Sequence, residues 1–175
     1  MKYVITLLLF VPILSFAQTK QDSLWLPFKS FIGSWTGESE GQPGKGKYER
    51  TYEFALNKKF IEVKNKSFYP PSTDHPKGEV HEDRGFISYD KSRKTFVLRQ
   101  FHIECFVTQY NIESISPDKK TISFISESME NLPAGFRAKE TYQISSESEF
   151  LETFELAEPG KDFEIYSKAI LKRGK

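Results

Sequence analysis

Hydrophobic and polar residues alternate with a period of two along most of this chain. From Gly33 onward, runs of eight to eleven residues rich in Phe, Tyr, Ile, Val and Thr are separated by clusters of Gly, Pro, Asn, Asp and Lys. This is the pattern of antiparallel strands joined by short turns. Ten strands are read: Ser34–Gly41, Lys47–Leu56, Phe60–Tyr69, Glu79–Tyr89, Thr95–Ile103, Cys105–Ile115, Thr121–Met129, Arg137–Ser145, Phe150–Ala157 and Phe163–Arg173. Hairpin connectors such as Asn57-Lys58 and Pro159–Asp162 demand an up-and-down order, and only Pro70–Gly78 is long enough to be a lid or open loop. Ahead of the strands, Leu24, Trp25, Phe28 and Phe31 recur at helical spacing around Pro27, predicting a short helix or turn that plugs something apolar.

Alternation assigns the faces. Tyr48, Arg50, Tyr52, Phe54 and Leu56 share the inward side of the second strand. In the ninth, Phe150, Phe154 and Leu156 oppose Leu151, Thr153 and Glu155; in the last, Phe163, Ile165, Ala169 and Leu171 oppose Glu164, Lys168 and Lys172. Half-buried strands in this number either pack as two sheets or close into one barrel, and closure removes the exposed edges of an aromatic-rich sheet. The expected fold is therefore all-β: an antiparallel up-and-down β-barrel of about ten strands with a short N-terminal helix at one end.

Met1–Ala17, with Lys2, the apolar stretch Tyr3–Leu14 and a closing Ser15-Phe16-Ala17, reads as a secretory signal peptide. The expected product is an exported protein, periplasmic or secreted, with residues 18–175 as one domain. The whole chain of 175 residues has 25 Lys and Arg against 24 Asp and Glu. Removal of Lys2 brings the two signs level, and no polybasic run offers a hold for phosphate backbones, so nucleic acid is not an expected partner. One cysteine makes neither an intramolecular disulfide nor a Cys-based zinc site, leaving a hydrophobic core as the source of stability.

Several inward faces carry charges: Arg50 between Tyr48 and Tyr52, Glu140 between Ala138 and Tyr142, Glu152 between Phe150 and Phe154. Such groups need one another, water or a ligand. Arg50, Arg84 and Arg99 are candidates to meet an anionic head group through the planar guanidinium fork, with Tyr48, Tyr52, Tyr110 and Tyr142 as cavity walls. His102 shares a face with Phe96, Leu98 and Gln100 and is either a hydrogen-bonded structural residue or a ligand to metal or haem. No second histidine stands at ligand spacing, so no metal site is expected. Cys105 reads as a small buried hydrophobe rather than a nucleophile. The chain lacks a Gly-x-Ser-x-Gly elbow, a His-Glu-x-x-His motif and a phosphate loop, and no catalytic residue is assigned.

The run Phe31-Ile32-Gly33-Ser34-Trp35-Thr36-Gly37, with a further Gly41, follows the apolar segment and opens the first strand. It resembles the Gly-x-Trp opening of the calycin superfamily, which includes lipocalins, fatty-acid-binding proteins and nitrobindin-like haem barrels, and is most similar to the nitrobindin-like branch and the exported barrels near it. The resemblance implies a structural set of Gly33, Trp35, Gly37 and Arg173, the arginine packing on the tryptophan at the closed barrel end. It also implies a cavity for a small hydrophobic or amphipathic molecule, or haem. The nitrobindin-like branch binds iron through a histidine near the last strand, where this chain has none; Tyr166 is nearest, although its parity with Glu164 and Lys168 points outward. Three readings stand open: an exported non-catalytic binding protein without cofactor, a haem protein with redox or peroxynitrite chemistry using His102 or Tyr166, and a ligand-free structural or interaction domain.

Overall fold

A computed structural model describes residues 22–73 and 75–174. The expected leader, Met1–Ala17, lies outside the described residues. A 3-10 helix, Leu26–Phe31, precedes ten strands: β1 (Gly33–Gly41), β2 (Gly46–Ala55), β3 (Phe60–Tyr69), β4 (Glu79–Asp90), β5 (Thr95–His102), β6 (Val107–Ile115), β7 (Thr121–Glu130), β8 (Arg137–Ser146), β9 (Glu149–Ala157) and β10 (Glu164–Arg173). Each strand pairs with its chain neighbours, and β1 pairs antiparallel with β10, so the sheet closes into an up-and-down barrel. Among the described residues no helix is long and apolar enough to cross a membrane.

The closing seam depends on Gly37 and Gly41, the latter because a Cβ on it would lie 2.1 Å from the Tyr166 carbonyl oxygen. A Cβ on Gly37 would lie 1.9 Å from the carbonyl oxygen of Ile170 across the β1–β10 pair, so only a residue without a side chain lets these backbones approach.

Up-and-down order places alternate turns at opposite ends. At the end holding the β2–β3, β4–β5, β6–β7 and β8–β9 turns, the 3-10 helix enters the barrel mouth. Pro27 sits in its first turn, where the missing N–H costs nothing. Phe28 packs edge-on against Phe96 at 4.8 Å and Phe31 against Phe150 at 5.3 Å between ring centroids. Each fully buried aromatic contributes roughly 1.5–3 kcal/mol. Trp25 donates its indole N–H to the Lys58 carbonyl at 2.8 Å, and Trp35 donates to the Phe31 carbonyl at 2.7 Å. The space between Phe28, Phe31, Tyr52 and Tyr142 is about 10 Å³, room for one water at most, so this end is filled.

Arg173 latches the plug to the last strand. Its guanidinium lies 4.1 Å from the Trp35 ring centre and donates to the carbonyls of Ile32 (2.7 Å), Ser30 (2.8 Å) and Glu147 (3.1 Å). Two of those carbonyls belong to the end of the 3-10 helix and its cap, where no intrahelical donor remains.

Five expectations from the sequence are corrected, four of them from strict alternation. Leu56 is not inward: it stands in the β2–β3 turn with φ +49°, followed by Asn57 and Lys58 also at positive φ, and is 68% exposed. Phe54, beside it, is exposed at the barrel edge although its ring reaches Trp25. A bulge in β10 between Ile165 and Ser167 flips the parity. Ile165 is consequently 47% exposed, and Phe163 lies on the outside beneath Arg137 and Lys139, while Ala169 and Leu171 remain inside. Cys105 is exposed, not buried, because the chain turns tightly from His102 to Phe106 and Cys105 takes φ +70° there.

Candidate functional site

Beyond the filled end the barrel interior changes character in two steps. The first is a layer of buried polar groups; the second is a cavity of about 330 Å³ at the opposite end, reached by Pro43 of the β1–β2 turn, Glu104 and Phe106 of the β5–β6 turn, and Leu132 and Phe136 of the β7–β8 connection. Its apolar lining also includes Met129, Phe154 and Leu156.

The polar layer is organised by Arg50. Its Nε donates to both Glu152 carboxylate oxygens (3.2 and 3.0 Å), and Nη2 donates to Oε1 at 2.8 Å. Nη1 donates to the carbonyls of Glu49 (3.0 Å) and Lys66 (3.2 Å) and to the Ser67 hydroxyl (3.4 Å), while the guanidinium stacks on Tyr48 at 4.2 Å. Burial opposes the charge, yet the Glu152 carboxylate and the bonds to it hold the guanidinium firmly protonated. Arg50 is thus satisfied from inside the protein and is not a free anchor for an acidic ligand.

The remaining acids have no such partner. Glu140 is buried and accepts from the Tyr142 hydroxyl. Burial, with repulsion from Glu152, pushes its carboxyl up to about 8. Burial also pushes Asp83 up to about 6, against the pull of Arg50. Asp83 Oδ1 accepts from the Asn65 amide at 2.7 Å and the Gln100 amide at 3.5 Å. That leaves Gln100 Oε1 and Asn65 Oδ1 buried without a donor. The Arg50–Glu152 pair is self-neutral, so the layer holds a surplus of acids, and the Thr108 hydroxyl and His102 Nε2 are also buried there without a partner.

Of the residues singled out by sequence, Arg50, Tyr48, His102 and Tyr110 line the cavity. Tyr52 and Tyr142 instead lie under the plug with Phe31 and Phe150. Arg84 and Arg99 are on the outside: Arg84 reaches Glu62 at 3.8 Å and Arg99 the Ser88 hydroxyl at 3.3 Å. Tyr166 lines the cavity, contrary to strict parity, because the β10 bulge turns it inward beside Phe154 at 5.7 Å. His102 stacks on Phe106 at 4.1 Å with Nε2 buried and unpartnered, and burial pulls its imidazole down to about 4, so the ring is neutral at pH 7. Asp83 and Asn65 were missed. Asp83 was findable, since His81, Asp83, Gly85, Ile87 and Tyr89 continue one face of β4 at period two. Among the described residues no three His, Cys, Asp or Glu side chains converge to hold a metal ion.

No family model and no curated protein matches the chain. Among solved structures it is similar to the crystal structure of Rv2717c from M. tuberculosis, with TM-score 0.61 and 14% identity over 86% of this chain and 97% of that one. A de novo designed fluorescence-activating β-barrel aligns with TM-score 0.39 and 15% identity, over 83% of this chain and 95% of that one. The barrel EF1p2_mFAP2b bound to DFHBI aligns with TM-score 0.44 and 8% identity, over 85% and 97%. The likeness to Rv2717c is one of fold: a closed antiparallel barrel of ten strands, here plugged at one end and hollow at the other.

Proposed function

We propose that this chain is a non-catalytic binding protein, exported through its N-terminal segment, that holds one small amphipathic molecule in the hollow end of the barrel. The observation that carries this reading is the cavity of about 330 Å³ with apolar walls and a polar floor, in a barrel whose other end is packed solid. A concave, mostly apolar space with a few convergent polar groups is the usual form of a small-molecule site, and this volume falls at the small end of the range of roughly 300–1,000 Å³. A purely structural domain has no use for an unfilled interior lined by partnerless acceptors, each of which costs about 1–3 kcal/mol while unsatisfied. Export is supported by the Met1–Ala17 pattern.

The haem reading rests on His102 or Tyr166, both of which line the cavity: His102 has a neutral ring and an unpartnered Nε2, whereas burial raises the Tyr166 phenol above its ordinary value and so opposes the phenolate that would bind iron. The rest of the residues do not fit the group. His102 lies flat on Phe106 with its Nε2 buried, and the floor offers no unpaired cation to the two propionates of a haem, since Arg50 is bound by Glu152 and Asp83 adds like charge. We therefore place the ligand's polar end, not an iron, at the polar layer.

The test is purification of residues 18–175 from the native compartment, followed by an absorption spectrum and native mass spectrometry. The expected result is a colourless protein carrying an organic adduct lost on denaturation. A Soret band with a haem mass, or an empty chain that takes up no amphiphile, would overturn the proposal.

A further inference from the structure

The polar layer also says which kind of head group the cavity takes, an inference that rests on the binding reading above. The charged groups that Arg50 leaves unneutralised there are acids, and the unpartnered atoms are two amide oxygens beside the Thr108 hydroxyl and His102 Nε2. Glu140 and Asp83 have no cation of their own, because the one buried guanidinium is chelated by Glu152 and capped by two carbonyls. Independently of the acids, Gln100 is 1% exposed, lines the cavity and leaves its Oε1 without a donor, and Asn65 does the same with Oδ1. A buried acceptor left unmatched is rare in native proteins and calls for a donor from water, an ion or a ligand. Each amide donates one N–H to the same Asp83 oxygen.

We propose that the ligand is a cationic amphiphile, an alkyl or aryl amine whose ammonium donates to Glu140 and Asp83 at the cavity floor while its apolar body lies against Phe106, Met129, Phe154 and Leu156. An ammonium brings three donors and a positive charge, matching a floor of acceptors with surplus acid. A carboxylate ligand, in contrast, would bring a further negative charge beside Asp83 and offer no cation to Glu140. The groups facing Glu140 are Arg50 and Tyr52 from β2, Asp83 from β4, Tyr110 from β6, Tyr142 on its own strand and Glu152 from β9. Near neutral pH the Glu140 carboxyl keeps its proton in the empty protein; an ammonium beside it favours the ionised form, so binding expels a proton to solvent.

Isothermal titration of the mature protein with octylamine, octanoate and octanol, in two buffers of different ionisation heat, tests this. Octylamine is expected to bind at least about tenfold more tightly than octanoate and to release protons at about pH 7. In Glu140→Gln the octylamine-to-octanoate preference and the proton release both collapse; Asp83→Asn lowers the preference as well. Equal or tighter octanoate binding, or a preference that survives both substitutions, overturns the proposal. If octanol or octanoate binds without a preference for the amine, the head-group assignment fails and the binding reading stands. If none of the three binds, both fail.

Discussion

Replacing Glu140 with glutamine should make this protein more stable at neutral pH. In the folded chain burial and the Glu152 charge hold the Glu140 carboxyl at about 8, against an ordinary value of 4.5. The folded state therefore binds the proton more tightly than the unfolded chain, and the sign follows. Stability is fully present below about 4.5, falls as the unfolded chain ionises above it, and reaches its floor once pH passes about 8. Each pH unit in that window is worth about 1.4 kcal/mol, so at pH 7 the wild-type chain carries a handicap of about 3 kcal/mol. Glutamine keeps the shape and an oxygen to accept from Tyr142, and it is neutral in both states. At this chain length about 3 kcal/mol corresponds to a Tm gain of about 6–12 °C. Urea unfolding followed by tryptophan emission suits the measurement, because Trp25 and Trp35 are both buried at the plugged end. Wild type and variant should coincide near pH 4 and diverge steadily to pH 8. A variant that is less stable at every pH, or curves that stay parallel, would refute the argument that Glu140 is held protonated by burial.

Two further outcomes follow from the fold. Glu152→Ala strips the buried guanidinium of its carboxylate and should cost about 3–5 kcal/mol, whereas Arg50→Met combined with Glu152→Leu should recover most of that loss; equal losses in the single and double variants, by urea titration, would count against a desolvated pair. Gly37→Ala forces a methyl group against the Ile170 carbonyl at the β1–β10 seam and should abolish cooperative thermal unfolding by circular dichroism, while Gly44→Ala, where a Cβ meets nothing within 4 Å, is limited to the modest strain of its positive φ.

Sequence legibility differed between the barrel and its cavity. Strand existence and order were readable because a period of two is a local property of each segment, and the plug was readable because Trp25, Phe28 and Phe31 lie within one short stretch. Parity failed where a single extra residue enters a strand: nothing in Glu164-Ile165-Tyr166-Ser167 announces the bulge that sends Ile165 out and Tyr166 in. Leu56 failed for a related reason, since a run of left-handed residues ended β2 one position before its apolar pattern did.

By itself, then, the sequence determined an antiparallel all-β chain with charged residues on its inner faces. Only the tertiary structure decided what those charges do. Arg50 meets Glu152 across a separation of 102 residues, and that closure turns a candidate anchor for anions into a spent, internally paired cation. Asp83, Gln100 and Glu140 come from three different strands, and they line one space only when the barrel closes. The physical reason is that alternation specifies which side of a strand a residue faces, whereas pairing, burial and the acidity of a carboxyl depend on which other strands reach the same point and how much water is left between them.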